Sequence, residues 1–425
     1  MMETIRTYGF AAFIAITMVS ACNTPHSNMN NYNKKAAEIL GNPDYLAISY
    51  GGYRKNTRDI QPTIKELKDD MKILYAMGIR IIRTYNVHLP QAENILAAIS
   101  ELKKENNSFE MYVMLGAWID CLNAWTDKAV NHYVESPRNE IEIEKAVALA
   151  NKYTDIVKVI AVGNEAMVKW AESYYVQPSI ILNWVSYLQT LKKETKLPKD
   201  LWITSSDDFA SWGGGDTAYH NSHLEDLIAS VDYISMHTYP FHNTHYNPSF
   251  WEITQEEAKG KTQKELIDEA MLRARDFAIN QYKSVKKYME SIGVNKPIHI
   301  GETGWATISN GYYGRKGSHA ADQYKQAQYY KLMRAWAKEN GVSCFFFEAF
   351  DEPWKESNNI KGSENHFGLI TADGKAKYAL WEAVDYGTFN GLTRNGVPIT
   401  KTFNGLSENL YISVLPPNLL EFNPN

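Results

Sequence analysis

The sequence predicts an α/β fold, a (β/α)8 TIM barrel with an enlarged connection after the sixth strand and a small C-terminal extension. Three observations predict it. Eight short apolar runs recur along the chain, amphipathic helical segments lie between them, and the glycine-rich phosphate turn of an open doubly wound sheet is missing after the first run.

The runs are YLAISYGG (45–52), IRIIRTY (79–85), FEMYVMLGAW (109–118), VKVIAVGNE (157–165), LWITSSDD (201–208), DYISMHTYP (232–240), KPIHIGETGW (296–305) and VSCFFFEAF (342–350). Near-continuous apolarity is what parallel strands covered on both faces require. Between the first two runs, Ile64, Leu67, Met71, Leu74 and Met77 recur at helical spacing, and Gly78 marks the stop. The connection after Pro240 is oversized. It holds a loop rich in His, Tyr, Phe and Trp (241–251) and a long helix expected over about 262–291. Length added after a strand's C-terminal end builds the rim of a barrel's active site.

The expected organisation is a signal peptide over 1–21, a lipid-anchored tether over 22–40, the barrel over 41–385 and an extension over 386–425. The sequence leaves the extension open between a small β appendage and a loosely packed tail. Arg6 followed by an apolar run to Val19 reads as a cleaved export signal, too short to span a bilayer. Val19-Ser20-Ala21-Cys22 resembles a bacterial lipobox, which makes Cys22 the lipidation site and the protein an exported, membrane-anchored lipoprotein, periplasmic or at the cell surface. Cys121 and Cys344 then remain, too few for a disulfide framework, and read as small buried hydrophobes.

The 425 residues are 44% hydrophobic and 22% charged, with a net charge of −5, so no basic field exists to attract nucleic acid. The expected association state is a monomer, with the membrane met through the N-terminal lipid alone. The 27 tyrosines and 11 tryptophans suit the apolar faces of sugar rings, although many must be core.

Groups at the C-terminal ends of barrel strands face the active site. Those ends carry Tyr50, Arg83 to Asn86, Trp118, Asn164 and Glu165, Asp207 and Asp208, His237 and Tyr239, Glu302 with Trp305, and Glu348. Glu165 ends Gly163-Asn164-Glu165 on the fourth strand, and Glu302 follows Gly301 on the seventh. A carboxylate at such a place is costly to desolvate and adds nothing to packing, so a chemical role outweighs a structural one. Two carboxylates facing each other across a barrel mouth are what glycosidic bond cleavage requires, one protonated as acid and one ionised. Arg83, on the same face as Tyr85, is the candidate for holding one of them ionised. Trp305, Trp354, Trp118 and Tyr239 are candidate sugar platforms, each also readable as ordinary packing, and Glu348 is divided between substrate contact and support. His237, His242 and His245 lack a compact His-x3-His pair, and the chemistry needs no metal or cofactor, so none is expected. Asp207 and Asp208 read as rim residues or loop caps.

IAVGNE, IGETGW, IRTYN and FFFEAFDEPWK together resemble glycoside hydrolase family 17, the β-1,3-glucanases of barrel clan A, over residues 45–385. The resemblance implies that Glu165 is the acid/base, Glu302 the nucleophile and Asn164 the partner of the substrate 2-hydroxyl. It also implies that Glu352 and Lys355, after the eighth strand, bind or orient sugar. Tyr85, Tyr239, Trp305 and Glu348 complete the expected substrate-binding set, with Arg83 and His237 in support. The implied activity is retaining endo-hydrolysis of a laminarin-like β-1,3-glucan. A transglycosylase with the same catalytic groups is the nearest alternative, and a non-catalytic glycan-binding surface lipoprotein the more distant one. The intact GNE and GETGW argue against the latter.

Overall fold

The computed structural model describes residues 34–420; the export signal and Cys22 lie outside them. Eight parallel strands close a barrel: β1 (Leu46–Ser49), β2 (Ile79–Arg83), β3 (Tyr112–Ala117), β4 (Val157–Asn164), β5 (Trp202–Asp208), β6 (Ile234–His237), β7 (Ile298–Gly304) and β8 (Cys344–Phe347), with β8 pairing back onto β1. Every strand falls inside one of the eight apolar runs. Helices follow as the amphipathic pattern requires. In Ile64–Ala76, Leu67, Met71 and Leu74 are buried, and Thr63 and Glu66 form a capping box at its start. Gly78, at φ 82°, ends that turn in the left-handed region.

Alternation along the strands divides the core in two. Ala47, Ile81, Tyr112, Met114, Val159, Ala161, Tyr233 and Phe345 point inward and fill the barrel, closed from below by Ile39 and Leu40. The opposite faces pack against the helical shell, as Ile48, Ile82, Val113, Ile160, Ile203 and Phe346 do. Two residues further along each strand, the inward positions open into the barrel mouth, and there the polar groups begin.

The sixth connection contains Pro240–Tyr246, Gln255–Ala258 and the long helix Gln263–Ser291, which the sequence places almost to the residue. The C-terminal extension is a packed appendage. A two-stranded ribbon (Thr393–Arg394 with Val397–Pro398) sends Arg394 into the shell, where Arg394 Nε lies 3.1 Å and Arg54 Nη2 2.9 Å from Asp70, and Tyr50 donates to the same carboxylate at 2.9 Å. Farther on, Leu419 pairs with Ile253 of the sixth connection. Cys121 and Cys344 are buried free thiols. Among the described residues, no helix is long and apolar enough to cross a membrane.

Candidate active site

The barrel mouth is assembled by the same alternation that fills the barrel. Above Ile81 stands Arg83, above Ser235 stands His237, and above Gly163 stands Glu165. Gly301 is required where it is: a Cβ there would come within 2.1 Å of Ser235 Oγ and 2.5 Å of Ser206 Oγ. Without that Cβ, β7 lies close against β6, and Ser235 Oγ, Ser206 Oγ and His237 Nε2 form a chain of 2.8 Å hydrogen bonds. Glu165 has a left-handed backbone, φ 47°, costing about 1–3 kcal/mol for a non-glycine residue. Its N–H is tied to the Ser206 carbonyl at 2.9 Å, and the twist turns its side chain across the mouth.

Glu302 is almost fully buried and receives both oxygens' partners from the protein. Arg83 Nη1 donates to Oε1 at 2.5 Å and the Tyr239 hydroxyl to Oε2 at 2.7 Å. Arg83 is itself buried and fixed, donating also to the Gly301 carbonyl at 3.0 Å and to Asn164 Oδ1 at 2.6 Å. Glu165 has a hydrogen bond of 3.1 Å to His237 Nδ1 and, among the described residues, no Lys or Arg paired with it. One oxygen of each carboxylate and a ring nitrogen of His237 all lie within 4.8 Å of one another.

These surroundings split the two carboxyl groups. Burial, then the negative charge of Glu302, push Glu165 up to about 8, with Arg83 opposing. Burial raises Glu302 too, but His237, Arg83, the Tyr239 hydroxyl and Lys355 outweigh it and hold Glu302 at about 2. Burial lowers His237 to about 4, so the ring is neutral at neutral pH. There the Arg83 guanidinium and the Tyr239 O–H stabilise the Glu302 anion. At neutral pH one carboxyl is protonated and the other ionised, with oxygens within 4.8 Å of each other. The three ligand-bearing side chains are close enough for an ion, but Glu302 already has its cation in Arg83. His242 and His245 do not converge on them: His242 bonds Tyr313 at 3.1 Å, and His245 stacks on Tyr312.

Around this pair the expected residues divide. Tyr85 lies with its ring 4.8 Å from the Arg83 guanidinium, its hydroxyl buried. Lys355 bonds Glu348 at 3.0 Å and lies over the Phe347 ring. Burial raises Glu348 well above the usual range, against the pull of Lys355. Glu352 accepts from the Tyr53 backbone and the Trp354 indole, both at 3.1 Å, and so fixes the aromatic wall that Arg58 covers at 4.3 Å.

Two expectations change. Trp305 is fully buried, its indole donating to the Ala320 carbonyl at 2.8 Å and its ring packed on Phe241, Trp251 and Tyr329. It is no sugar platform; it anchors the enlarged sixth connection beneath the site, since one residue past β7 its side chain points into the shell. Tyr239, taken as a platform, acts through its hydroxyl on Glu302. Asp207 and Asp208 are loop caps: Asp207 accepts the Met167 N–H at 2.7 Å, shaping the turn after Glu165, and Asp208 accepts that of Ala210 at 2.9 Å.

A group that sequence reasoning missed stands beside Glu165. The connection after β3 forms a ribbon (Cys121–Leu122 with Asn131–Glu135), and Trp125 at its turn stacks on Tyr174 with ring centres 5.1 Å apart. The signal available was Trp118 and Trp125 bracketing a turn-rich stretch, which says nothing of Tyr174, fifty residues on.

Comparisons with known proteins show the family of the chain. Residues 47–368 match the BtgE/BtgC glycoside hydrolase domain. A probable glucan endo-1,3-beta-glucosidase btgC of Aspergillus flavus is 24% identical over 383 residues, covering 86% of this chain and 48% of the relative. The chain thus spans about half the length of the curated relatives it first matches. A glucan 1,3-beta-glucosidase of Arthroderma benhamiae is 27% identical over 274 residues, 63% of this chain and 70% of its own. Among solved structures, an endo-laminarinase from Formosa Hel1_33_131 is 62% identical, with a TM-score of 0.90 over 91% of this chain and 98% of that one. A Rhizomucor miehei glycoside hydrolase family 17 beta-1,3-glucanosyltransferase shares the fold, at 19% identity and a TM-score of 0.54 over 79% of this chain and 96% of that one. The chain belongs to the BtgE/BtgC glycoside hydrolase family, in keeping with the resemblance of its strand-end motifs to family 17.

Proposed function

We propose that this chain is a retaining endo-β-1,3-glucanase of laminarin-like polysaccharide, with Glu302 as nucleophile and Glu165 as acid/base. The observation that carries the reading is a pair of carboxyl groups with oxygens within 4.8 Å in opposite surroundings, Glu302 held by Arg83 and Tyr239 and Glu165 bonded to His237. Inverting enzymes set their carboxyl groups about 6.5–9.5 Å apart to seat a water, and retaining ones about 5–5.5 Å. The short separation of the two carboxyl groups here supports the retaining arrangement.

In the first step a Glu302 oxygen attacks the anomeric carbon as the glycosidic bond breaks, and Glu165 gives its proton to the departing oxygen. Once the glucosyl ester has consumed the negative charge of Glu302, Glu165 loses the repulsion that kept it protonated. It then takes a proton from water, whose oxygen attacks the same carbon and frees Glu302. Two inversions leave the configuration unchanged. Arg83 stabilises the nucleophile and orients Asn164, whose proposed role is to bind the substrate 2-hydroxyl; Glu348, Lys355 and Glu352 line the sugar side.

The substrate class rests on the 62% identical endo-laminarinase. A β-1,3 chain is curved where a β-1,4 chain is flat, so one groove fits only one of them well. The expected result is a kcat/KM on laminarin at least about 100-fold above that on a soluble cellulose derivative. Comparable values would overturn the substrate assignment, and products longer than the starting laminari-oligosaccharide would replace hydrolysis by glycosyl transfer.

The lipid anchor at Cys22 is also proposed, on the lipobox-like residues 19–22 alone. Fractionated cells should show the Cys22→Ser protein soluble and active; a variant as membrane-bound as the parent removes the anchor.

A further inference from the structure

The ribbon after β3 holds an aromatic group that is anchored from beneath and open to solvent above. Trp125 is 57% exposed, yet its backbone is left-handed (φ 62°), as is that of Asn123 two residues before it (φ 66°). A bulky residue in that region is strained, and an indole more than half exposed recovers only part of the cost by burial. The turn is nevertheless firmly built: Asn123 Nδ2 donates to the Ala129 carbonyl at 2.9 Å, and Thr126 Oγ1 donates to the Asn123 carbonyl at 2.7 Å.

Beneath Trp125 the rings are layered. Tyr174 stacks on it at an interplanar angle of 21°, and Trp118, directly after β3, lies 5.3 Å from Tyr174. Asp120, buried and paired with Arg138 at 2.8 Å, lies beside both indoles.

The layer is continuous with the catalytic mouth. Tyr174 belongs to the connection that begins at Glu165, and after burial the charges of Glu165, Asp207 and Glu302 raise its phenol. Two backbone bonds, Cys121 N–H to the Tyr174 carbonyl at 3.1 Å and Gln177 N–H to the His132 carbonyl at 3.0 Å, lock the ribbon to that connection. A rigid, flat, solvent-facing indole running out from the acid/base side is a stacking surface for the apolar face of a pyranose ring.

We propose that Trp125, supported by Tyr174 and Trp118, is a remote glucan subsite that stacks one glucosyl unit of the chain whose cleaved bond lies between Glu165 and Glu302. The proposal rests on the glucanase reading above and deepens it. It makes Trp125 a determinant of chain-length preference: chains long enough to reach the shelf gain affinity, and short ones gain nothing.

The test compares parent, Trp125→Ala and Trp125→Phe on laminari-oligosaccharides from three units upward and on laminarin. Trp125→Ala should lose roughly tenfold in kcat/KM on laminarin while the shortest substrate cleaved stays within about twofold of the parent, and Trp125→Phe should restore most of the loss. Equal losses at every length, or none at any, overturn the shelf while leaving the glucanase reading intact. A parent that cleaves no β-1,3-glucan at all overturns that reading and the shelf with it. Matching thermal melts of the three proteins confirm that an exposed side chain was changed and not the fold.

Discussion

Replacing Glu302 by alanine should lower kcat on laminarin by on the order of 10⁴ or more, because no other group in the mouth can form the covalent ester. The fold should survive. Arg83 loses its carboxylate and its charge is left unpaired, at a cost of about 3–5 kcal/mol, but it keeps the Gly301 carbonyl and Asn164 Oδ1 as acceptors. The distinguishing signature is rescue. The methyl of alanine opens room beside the anomeric carbon, and Arg83 leaves the space positively biased, so a small anion such as azide can enter. Azide then attacks from the Glu302 side while Glu165 still protonates the leaving group, and a single inversion gives an α-glucosyl azide. Absence of rescue together with residual β-product would place the nucleophile elsewhere.

Glu165→Ala should behave differently, and the contrast carries more weight than either loss alone. Proton transfer by a positioned acid is worth about 10²–10⁴ in rate, and that factor should vanish for laminarin, whose departing sugar hydroxyl needs a proton. Aryl glycosides with a good leaving group need little help and should keep most of their rate of glucosyl-enzyme formation. Azide attacks that intermediate after the first inversion, so the product is a β-glucosyl azide. The pH profile should change with it. In the parent, kcat/KM falls as pH rises through about 8, where Glu165 loses its proton, and is flat down toward about 2, where Glu302 gains one. In Glu165→Ala the alkaline limb near 8 should disappear on aryl substrates. A limb that persists unchanged would belong to another group.

Much of this was legible in the residues alone, for definite physical reasons. All eight strands are buried on both faces, so each is an apolar run whatever its neighbours. Glu165 and Glu302 stand out because a charged group within two residues of a glycine at the end of such a run has no packing role. Arg83 follows from alternation with Ile81. What was not legible depends on contacts between distant segments. Trp305 at a strand end reads the same whether it faces sugar or shell, and only its bond to Ala320 decides. Asn131–Glu135 is exposed along most of its length, so the ribbon left no hydrophobic pattern, and the Trp125–Tyr174 stack joins residues from two connections. Arg394 reaching Asp70 across more than 300 residues likewise has no local trace. The left-handed backbone of Glu165 is the sharpest case: nothing in GNE discloses it, yet it turns the acid toward its partner.

The central claim is that Glu302 attacks carbon and that the reaction passes through two inversions. Proton NMR of laminarin mixed with enzyme at high concentration, read before mutarotation, tests it most directly. The account predicts that the first reducing-end signal to grow is the β-anomer, with the α-anomer following only at the rate of spontaneous mutarotation. An α-anomer appearing first would mean a single inversion by water and would contradict the assignment of Glu302 as nucleophile.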